Sequence, residues 1–183
     1  MNQASQVIEH GGIIAYPTEA VFGLGCDPLN PQAVQHLLAI KQRPADKGLI
    51  LIASDFEQLR PYVDITRLSP AQRDTLFTSW PGPHTWLLPC RPTTPPWLRG
   101  RHSSIAVRVT AHPIARALCQ RTSCALTSTS ANRSGQRAAR TALQVRHRLG
   151  AHAVDYILHG PVGGQARPTE IRDIITGQVI RHG

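Results

Sequence analysis

Apolar and polar positions run along the chain in short blocks that switch between a helical period and a strand period. Residues 3–10 read as a short helix stopped by Gly11-Gly12, and Ile13-Ile14-Ala15-Tyr16 as a buried strand ended by Pro17. Asn30-Pro31 supplies an N-cap and an N1 proline for a helix over 31–42, with Val34, Leu37, Leu38 and Lys41 near one face. Leu49–Ile52 is a second strand, and Ser69-Pro70-Ala71-Gln72 is a capping-box pattern opening a helix to about Trp80. Strands are expected at Thr85–Leu88, Ser104–Val109 and Ala125–Ser130, with a helix from Pro113 through Gln120. Thr141 caps another helix, and strands follow at Val154–Leu158, Glu170–Ile174 and Gln178–Arg181, the last two joined at Thr176-Gly177 as a hairpin. Alternating strands and helices predict an α/β class, and the hairpin makes the twisted sheet mixed, parallel and antiparallel, with flanking helices.

A length of 183 residues suits one domain, taken as 1–183, and 41% hydrophobic against 17% charged residues supports a packed core rather than disorder. No apolar run is long enough to cross a bilayer, and the start has neither a basic region nor an apolar one of secretory type. The expectation is therefore a soluble, cytoplasmic protein. Cys26, Cys90, Cys119 and Cys124 form no CxxC and sit in no HExxH or paired-histidine pattern, so buried or incidental thiols are expected and a zinc site is not.

Charge changes the picture more. Twenty basic against eleven acidic side chains leave a formal charge of +9. Between Asp74 and Asp155 there is no acid, yet that stretch carries Arg91, Arg99, Arg101, Arg108, Arg116, Arg121, Arg133, Arg137, Arg140, Arg146 and Arg148. Such a field attracts polyanions, either nucleotide phosphates or RNA, and charge alone does not separate them from a merely solvated basic surface. The two lysines, Lys41 and Lys47, both fall in Lys41-Gln42-Arg43-Pro44-Ala45-Asp46-Lys47. A chain that otherwise uses arginine keeps compact, flexible point charges here, as a phosphate-handling loop requires; complementing the negative end of a helix is the plainer alternative.

Four polar clusters follow or end strands, where α/β proteins tend to place sites. Pro17 to Gly25 reads as a turn whose glycines admit close backbone approach and whose Thr18 adds a hydroxyl, but it is neither GxGxxG nor GxxxxGK[ST]. The Lys41/Arg43/Lys47 loop is the second. In Thr127 to Gly135, strand periodicity would put Ser128, Ser130 and Asn132 on one face as a cradle for phosphate or ribose oxygens. No histidine nearby in sequence activates a serine, so a serine nucleophile is not expected. The fourth combines Arg108 to Pro113 with Pro168 to Asp173, where His112 reads more simply as a residue at a helix start than as a base. Carboxylates near these clusters (Glu19, Asp27, Asp46, Glu170, Asp173) form no acid/base pair of glycosidase type. Cations and hydroxyls with few acids suit positioning and electrostatic catalysis on phosphates.

Taken in order, PTEAVFGLGCD, KQRPADKGLILIA, WPGPHTW, the VRV…HP stretch, STSANRSG and PTEIRDIITGQVIRHG resemble the YrdC/Sua5 family, the threonylcarbamoyl-AMP synthases, over essentially the whole chain. The length is similar to the short bacterial form, without the extra C-terminal domain of the Sua5 form. The resemblance implies a YrdC-like (DHBP synthase-like) fold with a basic concave cleft. It implies that L-threonine, bicarbonate and ATP give threonylcarbamoyl-AMP and pyrophosphate, for t6A at position 37 of tRNAs reading codons that begin with A, with a tRNA threonylcarbamoyl-transferase complex downstream. The family's Lys-x-Arg and Ser-x-Asn signatures fall on Lys41 and Arg43 and on Ser130 and Asn132, implied as catalytic. Lys41, Arg43, Lys47, Thr85, Ser128, Ser130, Asn132 and Thr169 are implied at the nucleotide, and Thr18 and Arg108 at L-threonine. Mg2+ is expected with ATP, with no metal ligand assigned to a protein side chain.

Where many relatives read PT(D/E)TxYG, this chain has Ala20 and Phe22, losing two hydroxyls. Lys47-Gly48-Leu49 stands where many have Lys/Asn-Pro-Leu, and Ile52 where some carry histidine. A non-catalytic RNA-binding protein of tRNA or ribosome maturation, using the arginine-rich surface, is the competing reading; a related carbamoyl-AMP transferase is a third. Aromatic residues, at 5%, show no interleaving of the kind that stacks single strands. A monomer is expected.

Overall fold

The computed structural model describes residues 1–182. Its helices start where the sequence supplies caps. Asn30 accepts the Ala33 amide at 3.0 Å to open α2 (Pro31–Lys41), and Ser69 and Gln72 form the reciprocal capping box of α3 (Pro70–Thr78). The ring of His112 caps α5 (Pro113–Thr122) and Thr141 caps α6 (Ala142–Leu149). Two further helices are α1 (Asn2–Glu9) and the single turn α4 (Pro96–Arg99), the latter unforeseen because Pro95-Pro96 reads as loop.

Among the described residues nine strands form one sheet: β1 (Ile14–Pro17), β2 (Phe22–Gly25), β3 (Ile50–Ala53), β4 (Thr85–Pro89), β5 (Ser104–Val109), β6 (Leu126–Ser130), β7 (Tyr156–Ile157), β8 (Ile171–Asp173) and β9 (Val179–Arg181). Their order is β7-β1-β2-β6-β3-β5-β4-β8-β9. The pairs β1/β7, β3/β5 and β4/β8 are parallel and the others antiparallel, so the sheet is mixed as expected. The glycine-rich segment after β1 is corrected: only Thr18–Val21 turns, closed by the Thr18 amide on the Val21 carbonyl at 3.0 Å, and Phe22–Gly25 is a fully buried strand. Its glycines alternate with Phe22 and Leu24, which enter the core, while the glycine side is filled by other groups. A Cβ on Gly25 would sit 2.5 Å from the Thr127 carbonyl and 2.8 Å from the Tyr16 ring.

The two faces of the sheet are covered unequally. On one, Val34 and Leu37 of α2, Leu76 of α3 and Val145 of α6 pack with Phe22, Leu24, Leu51, Leu88 and Val107 in the larger core. On the other, Ala4 and Ile8 of α1 and Ala115 and Leu118 of α5 cover only Ile14, Tyr16, Ile52 and Leu126. Burying each Leu or Ile contributes about 1.5–3 kcal/mol, so both layers are held mainly by this contact. Beyond Ile52 and Leu126 the second face carries no helix, and there the side chains turn small and polar. Replacing Gly25 with Ala is expected to lower stability by about 1–3 kcal/mol through overpacking. Gly164→Ala, where a Cβ meets nothing within 4 Å, should stay within about 0.5 kcal/mol; equal urea midpoints for the two would refute the account.

Candidate active site

The uncovered half-face is the floor of a cavity of about 820 Å³. Register lines up Ser128, Ile50, Ala106, Leu87 and Asp173 across five strands, so one row of mostly small side chains crosses the floor. Gly23, paired with Ser130, keeps the same surface low: a Cβ there would reach 3.3 Å from Thr18 and 3.4 Å from the Ser128 hydroxyl.

At one end, Lys41 closes α2 and points across to the end of β6. It is 3% exposed, and its ammonium donates to the Ser130 carbonyl and, at 2.8 Å, to the Asn132 carbonyl. The Ser134 amide returns a bond to the Lys41 carbonyl at 2.9 Å, so the two short motifs are laced together. Burial, with help from the neighbouring Arg43 charge, lowers the Lys41 pKa to about 8. Gln42, at φ 51, turns the chain out of the helix and presents Arg43, which donates to the Gly48 carbonyl at 3.0 Å and keeps a buried, unpartnered Nε. Lys47 lies exposed on the same wall. Ser128 and Ser130 share the floor as expected. Asn132 does not continue the strand, which stops at Ser130; it sits in the following turn, its amide donating at 2.8 Å to the Arg133 and Gln136 carbonyls. Its Oδ1 is buried without a partner.

At the other end Arg108 is the centre. Its Nη1 donates to Thr169 Oγ1 at 2.7 Å and Thr85 Oγ1 at 3.3 Å, and its Nη2 lies 3.1 Å from Glu19 Oε2. Thr18 stands on the adjoining wall, its hydroxyl on the Val21 carbonyl at 2.7 Å. Thr169 lines the cavity, whereas Thr85 lies outside its wall and braces Arg108 and Thr169 from behind. His112 is structural: Nδ1 accepts the Ala115 amide, Nε2 donates to the Pro161 carbonyl at 3.2 Å, and burial lowers its pKa, favouring the neutral ring.

The substituted positions separate by face. Ala20 lines the cavity; the Phe22 ring points into the core on the opposite face, so its missing hydroxyl takes nothing from the floor. Ile52 lies under α5 rather than in the cavity, and Gly48, at φ 63, takes a conformation glycine favours. Sequence reasoning did not mark Glu19 as Arg108's partner, nor Arg99, His102, Ser104 and Arg181 as wall residues. Arg181 comes from the closing hairpin and donates to the Thr169 carbonyl at 2.8 Å. No string signalled these residues, since their approach depends on strand order.

The Sua5/YciO/YrdC family profile, described as "Telomere recombination", matches residues 6–183. The chain belongs to the Sua5/YciO/YrdC family. A threonylcarbamoyl-AMP synthase of Yersinia enterocolitica is 51% identical over 183 residues, covering 100% of this chain and 95% of that protein. One from Escherichia coli O1:K1 is 53% identical over 180 residues, covering 98% and 94%. Among solved structures, P. abyssi Sua5 complexed with L-threonine superposes with a TM-score of 0.88 at 30% identity, over 98% of this chain and 52% of that longer one. E. coli YciO gives a TM-score of 0.85 at 29% identity, over 100% and 88%. The α/β fold is thus that of the Sua5/YciO/YrdC family.

On the expectation that Lys41 meets a phosphate, anion binding should depend on pH. Below about pH 8 the lysine already carries its proton; above it, a polyphosphate has to bring the proton back. ATP affinity is therefore expected to be flat toward neutrality and to fall by up to about tenfold per pH unit from pH 8 toward 10. Calorimetry at pH 9 in two buffers of different ionisation enthalpy should report proton uptake; an affinity flat through pH 10 would contradict the assignment.

Proposed function

We propose that this chain condenses L-threonine, bicarbonate and ATP into threonylcarbamoyl-AMP and pyrophosphate, supplying the threonylcarbamoyl group of t6A at position 37 of tRNAs that read codons beginning with A. The observation that carries this reading is one cavity with two chemically different ends: buried and exposed cations at Lys41, Arg43 and Lys47, and a fixed guanidinium at Arg108. The curated relatives named as threonylcarbamoyl-AMP synthases support it over nearly their whole length.

In the proposed reaction the threonine amine captures CO2 to give a carbamate, whose oxygen attacks the α-phosphorus of ATP as pyrophosphate leaves. Joining two anions demands cationic side chains that offset their repulsion. Lys41, Arg43 and Lys47 hold the triphosphate and the charge that collects on pyrophosphate. Ser130 and Asn132 hold nucleotide oxygens and the threonine-derived group, with Ser128 and Thr169 along the cleft. Thr18 and Arg108 orient L-threonine, and Thr85 steadies Arg108. Among the described residues no histidine is hydrogen-bonded to a serine of the cavity, and the scheme uses no protein nucleophile.

Magnesium fits as a companion of the triphosphate rather than in a protein cage. Glu19 Oε1 accepts from Thr110 and Asp173 Oδ1 accepts the Ile175 and Thr176 amides, and the described residues gather no cluster of three carboxylates, histidines or thiols that would cage the ion. When bound, the ion screens phosphate charge.

Every residue in this scheme comes from one chain, and we propose a monomer acting in the cytoplasm, upstream of a tRNA threonylcarbamoyl-transferase. No helix among the described residues is long and apolar enough to cross a membrane. A non-catalytic RNA binder would need only the exposed arginines and not the enclosed, buried cations; RNA contact through that surface stays an accessory proposal.

The test is to incubate the protein with ATP, bicarbonate and labelled L-threonine and to follow pyrophosphate and the labelled adenylate. Lys41→Ala should cut turnover on the order of a thousandfold, because it removes a charge and leaves the Asn132 carbonyl without its donor. Ser130→Ala, which removes one hydroxyl, should cost about tenfold. The reverse ranking would show that the phosphate end has been misassigned.

A further inference from the structure

Behind Arg108 lies a chain of hydrogen bonds that the substrate scheme does not use. Thr110, fully buried just past β5, accepts the His112 amide at 3.1 Å and donates its own proton to Glu19 Oε1 at 2.6 Å. The other Glu19 oxygen faces Arg108 at 3.1 Å, with both side chains under a tenth exposed. The Glu19 backbone is pinned as well: its carbonyl accepts the Gln165 amide at 3.2 Å, and the Thr18 carbonyl accepts the Gly163 amide at 2.9 Å. Arg108 is therefore held by a carboxylate on one side and by two threonine hydroxyls on the other, while its buried Nε has no partner.

A buried ion pair of this kind adds little net stability compared with apolar packing, so its placement calls for another reason. The lysine end of the cavity offers one by contrast, because among the described residues no carboxylate forms an ion pair with Lys41, Arg43 or Lys47, the nearby Asp46 being bridged to Arg101. Resting on the proposed function, we infer that Glu19 divides the cavity electrostatically: by aligning and neutralising Arg108 it reserves that end for a monoanionic carboxylate and denies it to phosphate. Neutralising Arg108 removes attraction in proportion to the ligand's charge, so a polyanion loses more than a monoanionic carboxylate, and Arg181, which donates to the Thr169 carbonyl, is the cation left on that wall. Glu19 and Thr110 are positioning residues acting through Arg108. Without the Glu19 charge the triphosphate would find an unneutralised Arg108 there and compete with the amino acid.

Glu19→Gln, Glu19→Asp and Thr110→Val separate charge from alignment. Calorimetric titration with inorganic pyrophosphate, without other substrates, is expected to show one bound anion in the native chain and two in Glu19→Gln. In turnover, Glu19→Gln should raise KM for L-threonine by about tenfold or more with KM for ATP little changed, and pyrophosphate should become competitive with L-threonine. Glu19→Asp and Thr110→Val keep the negative charge, so they should raise KM for L-threonine while still binding a single pyrophosphate. A second pyrophosphate in either of them, or native stoichiometry and KM in Glu19→Gln, would overturn the inference. Where Glu19→Gln does not fold, by its far-ultraviolet circular dichroism, Thr110→Val decides: an unchanged KM for L-threonine overturns it. Absent turnover in the native chain would sink the proposed function instead, and the pyrophosphate stoichiometry reads Glu19 without any turnover.

Discussion

The buried ammonium of Lys41 is the constraint around which its end of the cavity is arranged. Removing a charged lysine from water is costly, and its pKa falls accordingly; the cost is offset by the two carbonyls it reaches beyond β6. Those carbonyls belong to a strand end and a turn that are tied to α2 a second time by the Ser134 amide on the Lys41 carbonyl. The Lys41 side chain thus helps set the separation between a helix terminus, the Lys41–Lys47 loop and a strand edge. A guanidinium, planar and larger, would not occupy the same gap while keeping both short contacts, which accounts for a lysine in a chain that otherwise prefers arginine.

That preference has its own structural outcome. With acids scarce between Asp74 and Asp155, many arginines settle on backbone carbonyls: Arg91 on Val63, Arg99 on His102, Arg140 on Gln165 and Ala166, and Arg148 on Arg137 and Ala138. These contacts close loops while the guanidinium charges remain at the surface. Glu19 beside Arg108 is the exception in kind, the place where a carboxylate is buried against an arginine in the cavity wall.

Most elements were legible because caps and alternation are local. Ser104–Val109 and the hairpin at Thr176-Gly177 follow directly from pattern, and the helix after Asn30-Pro31 begins where its cap stands. β2 was missed because glycine is a turn former by default, and only the Tyr16 ring and the Thr127 carbonyl, both distant in sequence, reveal why glycine is required in that strand. The motif residues Lys41, Arg43, Ser130 and Asn132 were visible as strings, and the fold brings them to one wall. Asn132 was placed wrongly, since strand periodicity was carried two residues past the end of β6. Glu19, Thr110 and Arg181 were invisible in their roles: each works across the sheet, through β5 or from the closing hairpin, and no spacing rule spans those distances. The site also lies on the face of the sheet and not simply beyond strand ends, which the general expectation for α/β proteins does not anticipate.

An open half-face has a consequence for the folded state itself. Where α1 and α5 stop, the sheet has a layer on one side only, and water must lie against Ser128, Ala106 and Ile50. Any ligand seated there would supply a layer on that side, so binding would bury the same face that α1 and α5 bury farther along the sheet.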